Sequence, residues 1–255
     1  MKFFSLIQNE IMKLASKRST WIFYVFIVLI SLFLGIPIKI WIQSYIGNYV
    51  SFSSTVIMVC SLFITLFALV LGAQTVTEEY KDGTIKQLLI RPASRTSILM
   101  AKYISCLLTA LLAYVLLFIS SIAVGAVLFG TEPLAEQEFI VHLKSVLYAL
   151  PDLIFMYTLA FVIGTVFRSS ALAITIAVVM NMAGSVFAVL QYDWAKYLIF
   201  NNTNWTMYDP NPHVSEGLSP PFPGMTFGFS FTIYLAYWII LMGITIYIFR
   251  KRDIA

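Results

Sequence analysis

Residues 78–102 read EEYKDGTIKQLLIRPASRTSILMAK. Eight charged side chains fall within this stretch, in a chain of 255 residues that is 60% hydrophobic and only 11% charged. A soluble domain carries about 25% charged residues, so this chain has too few to cover a water-facing surface. Several apolar runs exceed the roughly 18 residues needed to cross a hydrocarbon core of about 30 Å as a helix. The charged stretch lies between two of them. The composition therefore predicts an all-α, polytopic membrane protein in which this stretch is a loop between spans.

Working outward from the loop, the apolar runs predict six spans, at about 21–41, 55–76, 98–129, 146–167, 171–190 and 231–249. With the N-terminus placed inside, Lys2, Lys13, Lys17, Arg18, Lys81, Lys86, Arg91, Arg95, Lys102, Arg168, Arg250, Lys251 and Arg252 fall on the inner side. Only Lys39, Lys144 and Lys196 fall outside. This positive-inside bias places both termini in the cytoplasm and accounts for the net charge of +4. The expected location is a bacterial plasma membrane, with attraction to anionic lipid as a by-product. The whole chain, 1–255, reads as one transmembrane domain. Residues 1–19 place Phe3, Leu6, Ile7, Ile11 and Leu14 at helical spacing, which suits a helix lying in the inner interface. The start lacks an apolar core followed by a small-residue cleavage site, so it does not read as a signal peptide. Residues 191–230 form a long outer segment. Its Trp194, Tyr197, Leu198, Phe200 and Trp205 suggest an amphipathic, partly re-entrant stretch, and prolines from 210 onward break any regular element.

Local chemistry divides the charged loop finely. Asp82–Gly83 is a helix stop, because glycine accepts the left-handed conformation that closes a helix. Thr84 with Gln87 forms a capping-box pattern and starts a new helix. That helix runs only over 85–90, since Pro92 disfavours helix at Arg91, and Ser94 then caps the third span. Glu79 is expected to be held by Arg91 or Arg95, which would fix the elbow. A helix this short is unstable alone in water. Either the bilayer and the protein's own spans support it, or a second protein does.

Catalytic signatures are missing. There is no GxxxxGK[ST] phosphate loop and no HExxH, and the chain is not expected to be an enzyme. His142 and His213 stand apart in outer segments and are not expected to bind metal. Cys60 and Cys106 read as buried thiols. The NNT at 201 and NWT at 204 match a glycosylation pattern by coincidence. Within the spans, Ser31, Thr65, Asn181 and Ser185 are the candidates for a substrate path or dimer interface, because polar groups are costly in lipid. Helix–helix hydrogen bonding is their alternative role. Asp152 is the one acid well within a span. Pro37 is expected to bend or unwind the outer end of the first span.

The pattern formed by Glu79, Gly83, Thr84, Leu88, Leu89, Pro92, Ser94, Arg95 and Lys102 closely resembles the loop after the second span in permeases of the ABC type-2 exporter family. The order of elements along the chain is similar as well. The resemblance implies a half-size permease whose loop 77–95 couples to a separate ATP-binding subunit, present in two copies, through Glu79, Gly83, Thr84, Ile85, Leu88, Leu89, Arg91, Pro92 and Arg95. It implies no cofactor on this chain, with ATP and Mg on that partner. It also implies a second permease subunit, as a homodimer or heterodimer, with a route lined by the first, second and fifth spans. The expected cargo is hydrophobic or amphipathic: an antimicrobial peptide, a drug or a lipid-like molecule. The alternatives are ion extrusion, sodium included, and a membrane anchor or sensor for an ATPase in an immunity or regulatory complex.

Overall fold

The structure, a computed structural model, describes residues 3–41, 47–84, 93–131, 136–187, 192–215 and 217–251. Its regular elements are helical: α1 (Phe3–Ser16), α2 (Arg18–Trp41), α3 (Tyr49–Lys81), α4 (Arg95–Phe129), α5 (Glu136–Tyr148), α6 (Leu150–Phe167), α7 (Ser170–Phe187), α8 (Pro212–Ser215) and α9 (Phe227–Lys251). Five helical stretches are long and apolar enough to cross a membrane, namely α2, α3, α4, α9 and the run Glu138–Phe167 through α5 and α6. The remaining expected span, the fifth in chain order, coincides with α7, whose apolar part, Ser170–Gly184, is shorter.

The predicted cap and stop of the charged loop hold: Ser94 caps α4 through the Ser97 N–H at 3.1 Å, and helix α3 stops where Asp82 donates its N–H to the Glu78 carbonyl at 2.8 Å, with Gly83 following at φ 68°. Other expectations differ. Helix α3 starts before the expected position 55, at Tyr49, where Asn48 caps it by accepting from the Ser51 N–H at 2.9 Å. The fourth span starts earlier than expected, with α5 feeding into α6, because Pro151 occupies the first turn of α6, where no N–H is needed. Pro37 interrupts nothing, and α2 continues through it to Trp41. Helix α6 ends at Arg168 in the left-handed region, φ 55°, which costs a non-glycine residue about 1–2 kcal/mol. Its guanidinium lies 4.2 Å from the centre of the Tyr80 ring, a contact that offsets part of that cost.

Helix α3 is the axis of the bundle, packed mainly between α4 and α6. The α3–α6 contact is backbone to backbone. A Cβ on Gly164 would lie 2.7 Å from the Ala73 carbonyl oxygen, and one on Gly72 would lie 2.8 Å from that of Tyr157. Association between helices in lipid gains little from the hydrophobic effect, so small residues that allow close approach supply much of it. Tyr103 ties three helices together. Its hydroxyl is 2.7 Å from Thr158 Oγ1 on α6 and accepts from Trp238 Nε1 of α9 at 3.1 Å. Its carbonyl accepts from the Tyr157 hydroxyl at 2.7 Å.

Helix α1 rests chiefly on α4, burying Leu6 and Leu14, while Phe3 and Ile11 of the same stripe and the neighbouring Phe4, 81% exposed, face away from the bundle. The outer segment is built from short 3-10 turns. Ile199, Phe200 and Trp205 fold back onto the bundle, and Trp194 and Tyr197 stay exposed. Gly164→Leu is expected to force α3 and α6 apart and destabilise the protein by about 1–3 kcal/mol or more. A large drop in the detergent-solubilised melting temperature, with Gly243→Leu on open α9 as an unaffected control, is the measurement.

Candidate functional site

The loop that dominated the sequence begins on a buried charge. Glu79, 2% exposed at the end of α3, accepts from three donors. Lys102 Nζ of α4 lies 2.9 Å from its Oε1, and Lys13 of α1 and the Thr84 hydroxyl also bond to the carboxylate. Lys102, itself 2% exposed, reaches Glu10 Oε2 of α1 at 2.9 Å. Lys17 pairs with Glu78, and Ser105 of α4 donates to the Ile7 carbonyl at 3.2 Å. Helix α1 is thus bolted across the junction of α3 and α4. Burial alone would depress the Lys13 ammonium, but its bond to Glu79 and the acids around it hold it above its ordinary value. Such clusters survive burial only when every charge is compensated, and here Glu10, Lys13, Glu79 and Lys102 interlock.

Among the described residues Glu79 is held by Lys13 and Lys102; Arg95, one of the two arginines expected to hold it, donates to the Arg250 carbonyl at 3.1 Å, joining α4 to the end of α9. The Thr84 hydroxyl donates to the Glu79 carboxylate, and its expected capping partner Gln87 lies outside the described residues. Ile85, Leu88, Leu89, Arg91 and Pro92 lie outside the described residues, so the short helix expected at 85–90 lies there too. Glu79, Gly83, Thr84 and Arg95 all sit at the same end of the bundle. Glu10, Lys13 and Lys17 were missed as members of the cluster, although Glu10 and Lys13 are three residues apart on one face of α1 and Lys17 follows just past its end.

At the opposite end of α3 a cleft opens between α3, α4, the α5–α6 run and the outer segment. It has two adjoining chambers, of about 390 Å³ and 440 Å³, which share Ser61, Tyr114, Ser145 and Ala149. Thr65 and Asp152 line the first chamber. The cleft is framed by two polar clusters. His142 takes Ser53 and Ser54 at 2.9 Å each and stacks on Phe118, which satisfies both ring nitrogens within the protein. Asp209 accepts from Lys144 at 3.0 Å and from the Tyr148 hydroxyl at 2.8 Å. The Asn211 N–H, at 2.9 Å, together with these two donors holds the Asp209 carboxyl below its ordinary range.

The four candidates for a path or interface fall on three helices, α2, α3 and α7. Ser31 is buried against Ser120 of α4 at 3.0 Å and acts as an interhelical bond. Thr65 is on the cleft wall. Asn181 is half-buried on α7; Ser185 is on the same helix, with its side chain outside the described residues. No group of three or more metal-ligating side chains occurs among the described residues.

An all-helical bundle with five apolar helices of spanning length defines a multi-pass membrane protein. Within that class, the chain belongs to a family described as "Protein of unknown function (DUF2705)", whose model matches residues 32–255. It is similar to the uncharacterized protein YhcI of Bacillus subtilis (strain 168), 37% identical over 209 residues that make up 74% of this chain and 64% of that protein. It also aligns with the uncharacterized membrane protein YdbK of the same organism, 25% identical over 95% of this chain and 99% of that one.

Two measurements follow from the clusters. Lys102→Met leaves Glu79 and Glu10 short of a buried partner, which costs about 3–5 kcal/mol where a pair is broken; the low end applies because Lys13 still reaches Glu79. Adding Glu79→Gln is expected to restore most of the lost melting temperature, and a double-mutant cycle checks it. Asp209 has a depressed folded pKa, so its stabilisation is present above the unfolded carboxylate value of about 4 and disappears as pH falls through the folded value. Melting temperature should therefore fall with acidification below about pH 4, and Asp209→Asn should flatten that dependence.

Proposed function

We propose that this chain is the permease subunit of an ATP-driven exporter, with six spans, both termini cytoplasmic, and the 77–95 loop as the contact for a separate ATP-binding subunit. Helix α7 is the fifth of those spans in chain order. The observation that carries the reading is the interlocked cluster around Glu79. It supports the reading because the loop begins where, among the described residues, α1, α3 and α4 are joined by buried charge. A loop mounted on such a junction moves two spans and the interfacial helix together when pushed, which is what a coupling element must do. A surface ion pair worth about 0–1 kcal/mol would yield instead; a buried, fully paired one resists.

ATP hydrolysis, with its Mg, belongs to the partner in this reading, and the partner is present in two copies. A second permease subunit completes the route. The exposed apolar faces of α2 and α3, including Phe26, Phe33, Met58 and Leu62, are available to that subunit or to lipid. The cargo is an amphipathic molecule, because the cleft beside α3 is lined by both hydroxyls and hydrocarbon.

The test is co-purification of the tagged chain with the ATP-binding cassette protein encoded nearest to it, followed by reconstitution. Wild type is expected to capture the ATPase and to move substrate with ATP. Gly83→Val, which strains a left-handed turn with open space around it, is expected to reduce transport at least tenfold while the permease still folds. Capture without ATP-dependent movement would favour a membrane anchor or sensor, and loss of neither property on changing residues 83–95 would overturn the coupling assignment.

A further inference from the structure

We propose that the cleft between α3, α4 and the α5–α6 run is a binding site for a small amphipathic organic cation, with the Asp152 carboxylate taking its protonated amine. Charge comes first. Asp152 is half-buried in the first turn of α6, bonded to Thr203 of the outer segment, and no lysine, arginine or histidine among the described residues forms an ion pair with it. The nearby positive charge, Lys144, is already spent on Asp209, as is the Tyr148 hydroxyl. His142 is bonded to two serines. A carboxylate withdrawn from water without a counter-charge is costly, so the cleft is complementary to a cation that brings its own donors.

Size decides which cation. A bare ion or a water needs about 30 Å³, whereas each chamber is more than ten times larger, at about 390 and 440 Å³. That range is the lower end for small organic ligands, and it is too small for a folded peptide. The walls then divide the ligand in two. Around Asp152 stand the hydroxyls of Ser61, Thr65, Ser145 and Thr206, which accept further ammonium hydrogens. The second chamber adds Ile57, Met58 and Val146 as a seat for hydrocarbon. The Tyr114 ring borders both chambers, where it can face a cation. The cleft opens past Ser54, Met58, Ala149 and Asn204, all exposed.

This narrows the cargo of the exporter reading and rests on that reading for its physiological sense, but binding is measured on the chain alone. The full-length protein in phosphatidylcholine nanodiscs is titrated with tryptamine, with its neutral alcohol analogue tryptophol, and with sodium chloride, by calorimetry. Tryptamine is expected to bind saturably, at least tenfold more tightly than tryptophol. Asp152→Asn should weaken it at least tenfold without changing tryptophol binding. Ala149→Trp, at an exposed position on the rim, should block both and keeps the test valid if the Asp152 variant fails to fold. Equal binding of amine and alcohol, equal binding by the wild type and the Asp152 variant, insensitivity to Ala149→Trp, or binding of sodium alone would each overturn the assignment. Binding that persists when no ATP-driven transport can be found leaves the site intact and removes the exporter reading instead.

Discussion

The bundle depends on how closely α3 can be surrounded. Its middle touches α6 backbone to backbone at Gly72, Ala73 and Gly164, which only residues without large side chains permit. Beside it Ile64, Ala68 and Leu69 are fully buried, and the polar side chains there bond locally, Thr77 to the Ala73 carbonyl at 2.8 Å and Thr75 to Cys106 of α4 at 3.0 Å. Charge is displaced to the two ends. At one end it becomes the Glu79 cluster, and at the other the hydroxyl-lined cleft that Asp152 joins from α6. A membrane protein with so few charges places them where backbone packing relaxes.

The two ends are built on different terms. The Glu79 end is fully paired: each buried charge has a described partner, and α1 lies across it as a strap. Pairing of this kind contributes little net stability compared with an apolar core of equal shape, because desolvation takes back most of the attraction. What it provides is a fixed geometry, since shifting one helix strands another's charge. The cleft end is left underpaired, with one carboxylate facing hydroxyls and open space. One end is thus rigid and charge-paired, and the other carries a carboxylate bonded to Thr203 but without a described counter-ion.

Much of this was legible in the chain, and what was not has physical reasons. The helix stop at Asp82–Gly83 and the cap at Ser94 were readable because each is a local backbone requirement with a distinctive residue. The spans were readable because hydrocarbon thickness sets their length. The partners of Glu79 were not, since Lys13 and Lys102 approach it from 66 and 23 positions away, and nearer arginines looked equally able. The bond from Thr84 to Glu79 was not legible either, because a hydroxyl read as a cap can also donate to a carboxylate. Aromatic residues that suit an interface suit a protein surface as well, so the packing of Trp205 on Phe227, Phe231 and Tyr234 could not be read from the chain. Ser31 and Thr65 looked alike in sequence, and only the neighbouring helix decides that one is an interhelical bond and the other a cleft wall.

On the exporter reading, α3 itself is the connection between the two ends. From Glu79 to Ser61 it runs 18 residues, or about 27 Å at 1.5 Å per residue, without a described break. The glycine contact lies between them and nearer the Glu79 end. A push on the elbow would therefore turn α3 about a point where it cannot separate from α6, and the longer arm would carry Ser61 and Thr65 relative to Asp152 on α6. Tilting by even a few degrees over that arm shifts the cleft wall by about an ångström, enough to break ammonium hydrogen bonds that require about 3 Å. The close backbone packing at Gly72, Ala73 and Gly164 is thus the feature that would let α3 act as a lever.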